Sequence, residues 1–214
     1  MRDILECMVA RRSMLLAMPL AVAAQRRDNI YELPKKLPVP TDDGACRHLA
    51  GMKVPPVMLC TTGNRCVKLH EVESPRIVVF AYPRTGEPGK DPPAGWDQIP
   101  GARGCTPESC GFRDRFRDFK PLRAMVFGLS TQTTEYQQEM VARLHLPFEV
   151  LSDSRFQFTE ALRLPVFEFN GTRLLKRHTL VLRAGKIEKV FYPVFPPDRH
   201  AEEVLKWLAA NPMR

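Results

Sequence analysis

The residues best suited to chemistry are two cysteines near the middle of the chain, Cys105 and Cys110, in the segment Cys-Thr-Pro-Glu-Ser-Cys. Cys105 follows a glycine-rich loop and stands at the start of a predicted helix. Unpaired N–H groups and the helix dipole favour an anion there, so this position favours the reactive thiolate. The pattern indicates redox chemistry at Cys105. The residues alone leave one alternative open, in which both cysteines are small buried thiols that pack a helix.

The spacing of Cys105 and Cys110 has a geometric consequence. In an intact helix, a step of five residues separates two Cα atoms by about 8.6 Å. A disulfide requires a separation below about 7 Å. The two cysteines can therefore bond only if the first turns of the helix unwind. The spacing predicts a redox switch, with attack in the folded form and a disulfide in an opened form.

The other cysteines give weaker signals. Cys60 and Cys66 flank a predicted hairpin turn, where a cross-strand disulfide and a metal pair are both conceivable. No second Cys/His pair with zinc-like spacing accompanies them, so we interpret both as packing residues. Cys7 and Cys46 lie in regions predicted to be dispensable or irregular, and they receive no role.

The hydrophobic pattern predicts strands and helices in alternation, followed by an antiparallel ending. The predicted elements are a hairpin at 57–69, strands at 77–82, 125–129, 148–151 and 186–192, a hairpin with strands at 166–169 and 172–182, and helices at 106–120, 134–144, 155–162 and 201–209. This order implies an α/β fold with a mixed central sheet and helices on both faces.

The chain divides into an extension and one domain. Residues 1–49 are predicted to be an N-terminal extension and irregular arm, and 50–214 a single domain. Residues 84–104 form an inserted loop, because nine of its 21 residues are Gly or Pro. Loops of this length are uncommon and usually functional. Residues 1–24 resemble a secretory signal, but the acidic Asp3 and Glu6 dilute the positive charge that such a signal carries before its apolar run. We therefore expect a cytoplasmic protein, with export as the alternative.

Composition excludes several classes of function. No apolar run reaches the roughly 18 residues of a membrane span, so no membrane role is expected. The net charge is +8, and residues 155–189 carry eight basic and three acidic side chains. They show no nucleic-acid-binding motif and are interpreted as a solvated face that would help an acidic reductase to dock.

Four segments together resemble a known family. They are "IVVFAYPR", "GCTPESCGFRD", "VFGLS" and "PFEVLSD". Over roughly residues 50–210 the chain resembles the atypical two-cysteine peroxiredoxins of the bacterioferritin-comigratory type, in the thiol-specific antioxidant group. The resemblance implies a thioredoxin-like fold. It also implies that Cys105 is the peroxidatic cysteine, Cys110 the resolving cysteine, and Arg177 the active-site arginine.

The implied function is that of a thiol peroxidase for hydrogen peroxide and organic hydroperoxides. Its cycle would pass through a cysteine sulfenic acid and an intramolecular disulfide, which thioredoxin or glutaredoxin would reduce. No metal or organic cofactor is implied, and the protein would be a monomer or homodimer. The alternatives are a dithiol–disulfide oxidoreductase, disfavoured because Cys-x-x-Cys is absent, and a non-catalytic thioredoxin-fold binding protein.

Two departures from the family pattern concern the site. The family has Pro-x-x-x-Thr/Ser-x-x-Cys, but Ala102 occupies the hydroxyl position here. In addition, 21 residues separate Pro83 from Cys105, where that pattern has six. Thr85 would restore a hydroxyl if the loop folded over the site. We interpret it as a turn residue.

Overall fold

The computed structural model describes residues 31–213. Residues 31–50 of the predicted arm form turns and irregular structure. The possible signal at 1–24, with Cys7, lies outside the described residues. Between residues 31 and 213, every helix is too short or too polar to cross a lipid bilayer.

A mixed seven-stranded sheet forms the centre of the described chain. Its strands are β1 (Met58–Thr61), β2 (Cys66–Lys68), β3 (Arg76–Ala81), β4 (Ala124–Ser130), β5 (Val150–Ser152), β8 (His178–Arg183) and β9 (Lys186–Phe191), while β6 (Val166–Phe169) and β7 (Thr172–Leu175) pair separately. The order is β2-β1-β5-β4-β3-β8-β9. Strands β3, β4 and β5 run parallel, and the remaining pairs are antiparallel. The predicted mixed sheet is confirmed.

The helices are α1 (Cys105–Asp114), α2 (Phe116–Phe119), α3 (Thr134–Leu144), α4 (Gln157–Leu162) and α5 (His200–Ala210). Short 3-10 turns occupy Leu69–Glu71, Trp96–Gln98 and Pro197–Arg199. Helix α3 has the predicted bounds, and the Thr133 hydroxyl accepts a hydrogen bond from the backbone N–H of Tyr136 as its cap. The predicted helix at 106–120 is instead two helices that meet at Arg115.

Both faces of the sheet are covered, as a continuous apolar strand requires. Strand β3 shows this directly, since all six of its residues are buried. Side chains of Ile77, Val79 and Ala81 pack on the face that carries α4. Those of Val78 and Phe80 pack on the opposite face, against α1, α2, α3 and α5. The predicted helices on both faces are therefore confirmed.

The predicted strand at 172–182 is interrupted. Strand β7 ends at Leu175 and pairs with β6, whereas β8 begins at His178 and joins the central sheet beside β3. The interruption falls on Lys176 and Arg177. It directs the Arg177 side chain into the protein, where it is 3% exposed.

Cys60 and Cys66 form a disulfide across the β1–β2 hairpin. They are opposite each other in the register of the two strands, and both residues are exposed. Our interpretation of the pair as packing residues is therefore wrong, as is the metal pair, because each sulfur bonds to the other. The sequence indicates the hairpin, but the turn at 61–65 decides which residues face each other.

Replacing both hairpin cysteines with serine should lower the free energy of unfolding by about 2 kcal/mol, because the bridge closes a short loop and restricts the unfolded chain. The sequence separation is 6. Urea denaturation of the Cys60→Ser/Cys66→Ser variant measures the loss, and reduced wild-type protein should match the variant. Equal stability of oxidised wild type and variant would contradict this expectation.

Candidate active site

Cys105 is the first residue of α1, as the sequence predicted. The residue before it, Gly104, has a φ of 105°, a conformation that favours glycine. A Cβ at Gly104 would also collide with Pro197 and lie 2.8 Å from Leu33 Cδ2. Cys105 is only 4% exposed, and its thiol donates to the carbonyl oxygen of Ala102 at 3.6 Å. The Gly104 backbone thus holds the thiol at the helix start, in a largely buried position.

Arg177 contacts this thiol directly. Its Nη2 donates to Cys105 Sγ at 3.2 Å and to the carbonyl oxygens of Ala102 at 3.2 Å and Arg103 at 3.3 Å. Its Nε donates to the carbonyl oxygen of Gly101 at 3.2 Å. One guanidinium therefore ties the end of the inserted loop to the first residue of α1. Cys105 and Arg177, which the resemblance joined from distant parts of the sequence, lie side by side.

Glu108 is the functional residue that sequence reasoning missed. It is fully buried, and Arg177 Nη1 donates to its Oε2 in a short charge-assisted hydrogen bond. A signal was present, because residues three apart on a helix share a face, so Glu108 had to lie near Cys105. A buried carboxylate in α1 requires a cation, but the resemblance that indicated Arg177 did not pair it with Glu108.

The charges at the site depend on one another. Burial raises the pKa of Glu108, and the neighbouring Arg177 opposes that shift. Burial acts to lower the pKa of Arg177, but Glu108 and Cys105 outweigh it, so the pKa lies above its ordinary value. The guanidinium therefore stays charged beside the Cys105 sulfur.

Cys110 lies in the same helix as Cys105, and neither cysteine is in a disulfide. It is partly buried against the core between the sheet and helices α1, α2, α3 and α5, and burial raises the pKa of its thiol. The continuous helix from 105 to 114 agrees with the predicted reduced form. The thiol of Cys110 is thus protonated at neutral pH. In a regular helix, the Cα atoms of residues five apart are separated by about 8.6 Å.

The inserted loop folds over the site. A cavity of about 270 Å³ is lined by the loop from Arg84 to Gly104 and by the first three residues of α1, including Cys105. Thr85 lies in this lining and is 1% exposed. Its hydroxyl donates to Gln132 Oε1 at 3.3 Å, and its carbonyl oxygen accepts from Tyr136 at 3.0 Å. These bonds are long-range, so Thr85 is more than a local turn residue. Ala102 is fully buried, and its carbonyl oxygen accepts from Arg177.

Replacing Arg177 with lysine should lower kcat/KM for peroxide about 100-fold, since a point charge cannot reach Glu108 and Cys105 together. Stopped-flow measurement of Cys105 oxidation tests this. Arg173→Lys is the matched control: it changes an exposed arginine that pairs with Glu160. Circular dichroism of both variants checks the fold. Rates within threefold of wild type for Arg177→Lys would contradict the role of the two guanidinium nitrogens that contact Glu108 and Cys105.

Comparison with known proteins places this chain in a family. The redoxin family model matches residues 49–205. Peroxiredoxin Q of Sedum lineare is 32% identical over 159 residues, which cover 74% of this chain and 76% of that protein. The Oryza sativa subsp. japonica protein of the same name is 29% identical over 181 residues, 82% of this chain and 76% of that one. Both relatives are described as chloroplastic.

Solved structures of peroxiredoxins superpose on this chain. The peroxidoxin BcpB of Mycobacterium tuberculosis superposes with a TM-score of 0.62 at 25% identity, covering 76% of this chain and 98% of that one. Peroxiredoxin Q of Xanthomonas campestris gives 0.60 at 21% identity, covers 75% and 97%, and shares the fold. The thioredoxin-like fold is confirmed. The chain belongs to the redoxin family and, within it, to the peroxiredoxins of the Q or bacterioferritin-comigratory type, thiol peroxidases that act on peroxides with a reductant.

Proposed function

We propose that Cys105 is the nucleophile of this thiol peroxidase. The Cys105 thiolate attacks the terminal oxygen of a peroxide and forms a S–O bond as the O–O bond breaks. The sulfur is oxidised to a sulfenic acid, and the second oxygen leaves with a proton as water or alcohol. The observation that carries this proposal is the 3.2 Å contact between Arg177 Nη2 and Cys105 Sγ at the start of α1.

Arg177 acts in this step through electrostatics. Its fork spans the Cys105 sulfur on one side and Glu108 on the other. As the O–O bond breaks, negative charge moves from sulfur to the departing oxygen, and a guanidinium beside the sulfur is positioned to stabilise both. Glu108 is a positioning residue, because it contacts Arg177 and holds the guanidinium in place.

Cys110 is proposed to resolve the sulfenic acid. Its thiol sulfur attacks the Cys105 sulfur, a disulfide forms, and the sulfenic oxygen leaves as water. The first turns of α1 must open for this step, because the helical separation exceeds the limit for a disulfide. Opening breaks the backbone hydrogen bond from Glu108 N–H to the carbonyl oxygen of Gly104.

The reductant is inferred to be thioredoxin or glutaredoxin. Its thiolate attacks the Cys105–Cys110 disulfide, a mixed disulfide forms, and its second thiol releases the reduced enzyme. A monomer or homodimer is expected.

We infer a cytoplasmic protein, with export as the alternative. The exposed Cys60–Cys66 disulfide favours export, because disulfides persist in oxidising compartments. The N-terminal residue of the mature native protein separates these two, because export would remove residues 1–24.

Oxidation with one equivalent of hydrogen peroxide tests the proposed cycle. Peptide mass spectrometry should find a Cys105–Cys110 disulfide with Cys46 unmodified. Hydrogen exchange of the same sample should show faster exchange at 104–112 than in reduced protein, with the strands of the sheet unchanged, because the first turns of α1 have opened. A disulfide joining Cys105 to another cysteine, or equal exchange in both states with the bond confirmed, would contradict it.

A further inference from the structure

The cavity over Cys105 is a product of the inserted loop. Eleven of its lining residues belong to the loop, and three belong to α1. They are Arg84, Thr85, Gly86, Glu87, Lys90, Asp91, Pro92, Pro93, Trp96, Arg103 and Gly104 from the loop, with Cys105, Thr106 and Pro107 from the helix. The volume is about 270 Å³. The site therefore has a wall that the shorter family pattern has no residues to build.

Tertiary contacts hold this wall in place. Trp96 is 5% exposed, and its ring lies 6.2 Å from that of Phe167 and 5.1 Å from that of Phe169, both in β6. At the other end of the loop, Gln132 binds Thr85 through two backbone hydrogen bonds, one from N–H and one to the carbonyl oxygen. The cavity is thus preformed, which lowers the entropic cost of ligand binding.

The wall is suited to an uncharged ligand. Pro92, Pro93 and Trp96 supply apolar surface, and most of the charged side chains already have a partner. Lys90 pairs with Glu87, and Arg103 pairs with Asp97. The Arg84 guanidinium lies over the Trp96 ring at 5.6 Å.

Asp91 is exposed, and its carboxylate disfavours an anionic ligand. Few groups in the cavity are left to compensate a charged substrate.

The size of the cavity points to a compact organic molecule. At about 30 Å³ per water, it holds the volume of about nine waters, so hydrogen peroxide would occupy a small part of it. This volume is just below the usual range for ligand pockets, which begins at about 300 Å³. A hydroperoxide with roughly ten non-hydrogen atoms matches this space, whereas a long acyl chain would extend beyond it.

We propose that the loop cavity selects compact, uncharged organic hydroperoxides with an aryl or branched alkyl group. The inference rests on the proposed role of Cys105. The organic group lies against Pro92, Pro93 and Trp96 while the terminal peroxide oxygen meets Cys105. The O–O bond breaks as the S–O bond forms, and the organic group leaves as its alcohol with the proton.

Filling the cavity tests the proposal. Gly86 lines it, has an ordinary φ, and meets no atom within 4 Å of an added Cβ. In Gly86→Phe, kcat/KM for cumene hydroperoxide should fall at least about tenfold more than kcat/KM for hydrogen peroxide. Ala94→Phe is the matched control, since it adds the same ring at an exposed residue of the loop outside the lining. It should leave the ratio of the two constants unchanged.

A second measurement needs no variant. In wild type, 2-phenylpropan-2-ol, the product alcohol of cumene hydroperoxide, should inhibit hydrogen peroxide reduction competitively at concentrations where methanol, which has neither an aryl nor a branched alkyl group, has no effect. An unchanged ratio in Gly86→Phe, or no inhibition by the alcohol, would overturn the proposal while hydrogen peroxide reduction through Cys105 continued. Loss of the proposed function itself would appear differently, as activity that survives Cys105→Ser.

Discussion

Replacing Cys105 with serine should lower the second-order rate constant for peroxide reduction at least about a thousandfold. A serine hydroxyl is not ionised at neutral pH, so the helix N-terminus and Arg177 would have no thiolate to stabilise. The variant should fold, because serine is close to cysteine in size and the thiol already donates to the carbonyl oxygen of Ala102. Stopped-flow peroxide consumption measures the rate.

Cys46→Ala is the matched control for this experiment. Cys46 is also free and buried, but burial raises the pKa of its thiol to about 12, so it supplies no thiolate at neutral pH. Its replacement should leave peroxide consumption at the wild-type rate. If Cys105→Ser kept most of the activity, the nucleophile would be another group and the proposed cycle would be wrong.

Replacing Cys110 with serine should abolish turnover driven by thioredoxin while leaving the first oxidation of Cys105 at the wild-type rate. Cys105 keeps its place at the helix start and its contact with Arg177, so the attack on peroxide is preserved. The sulfenic acid has no partner in α1 and should accumulate, then over-oxidise to the sulfinic acid at high peroxide.

A dimedone adduct at Cys105 after a single turnover reports the accumulated sulfenic acid in Cys110→Ser. Wild type treated in the same way should give little adduct, because the disulfide forms first. Thioredoxin-driven turnover at the wild-type rate in Cys110→Ser would move the resolving role to another thiol.

Much of the local structure could be predicted from neighbouring residues in the sequence. The bounds of α3 follow from apolar spacing and the Thr133 cap, and both operate within a few residues. Strand β3 is indicated by an uninterrupted apolar run. The start of α1 at Cys105 follows from glycine before it and proline after it, which are again neighbours in sequence.

Errors arose where a distant contact decided the local structure. The predicted strand at 172–182 breaks at Arg177 because the guanidinium satisfies buried carbonyl oxygens and Glu108 far along the chain. The pairing of Cys60 with Cys66 depends on strand register, which propensity does not specify.

The sequence by itself determined the family, the order of elements and the two cysteines of one helix, because these depend on neighbouring residues and on a local motif. Only the tertiary structure decided that Glu108 pairs with Arg177 and that the inserted loop packs Trp96 against β6 to enclose a cavity over Cys105. The physical reason is that a buried charge and a packed ring are stable only with a partner, and the chain brings those partners from positions about 70 residues away.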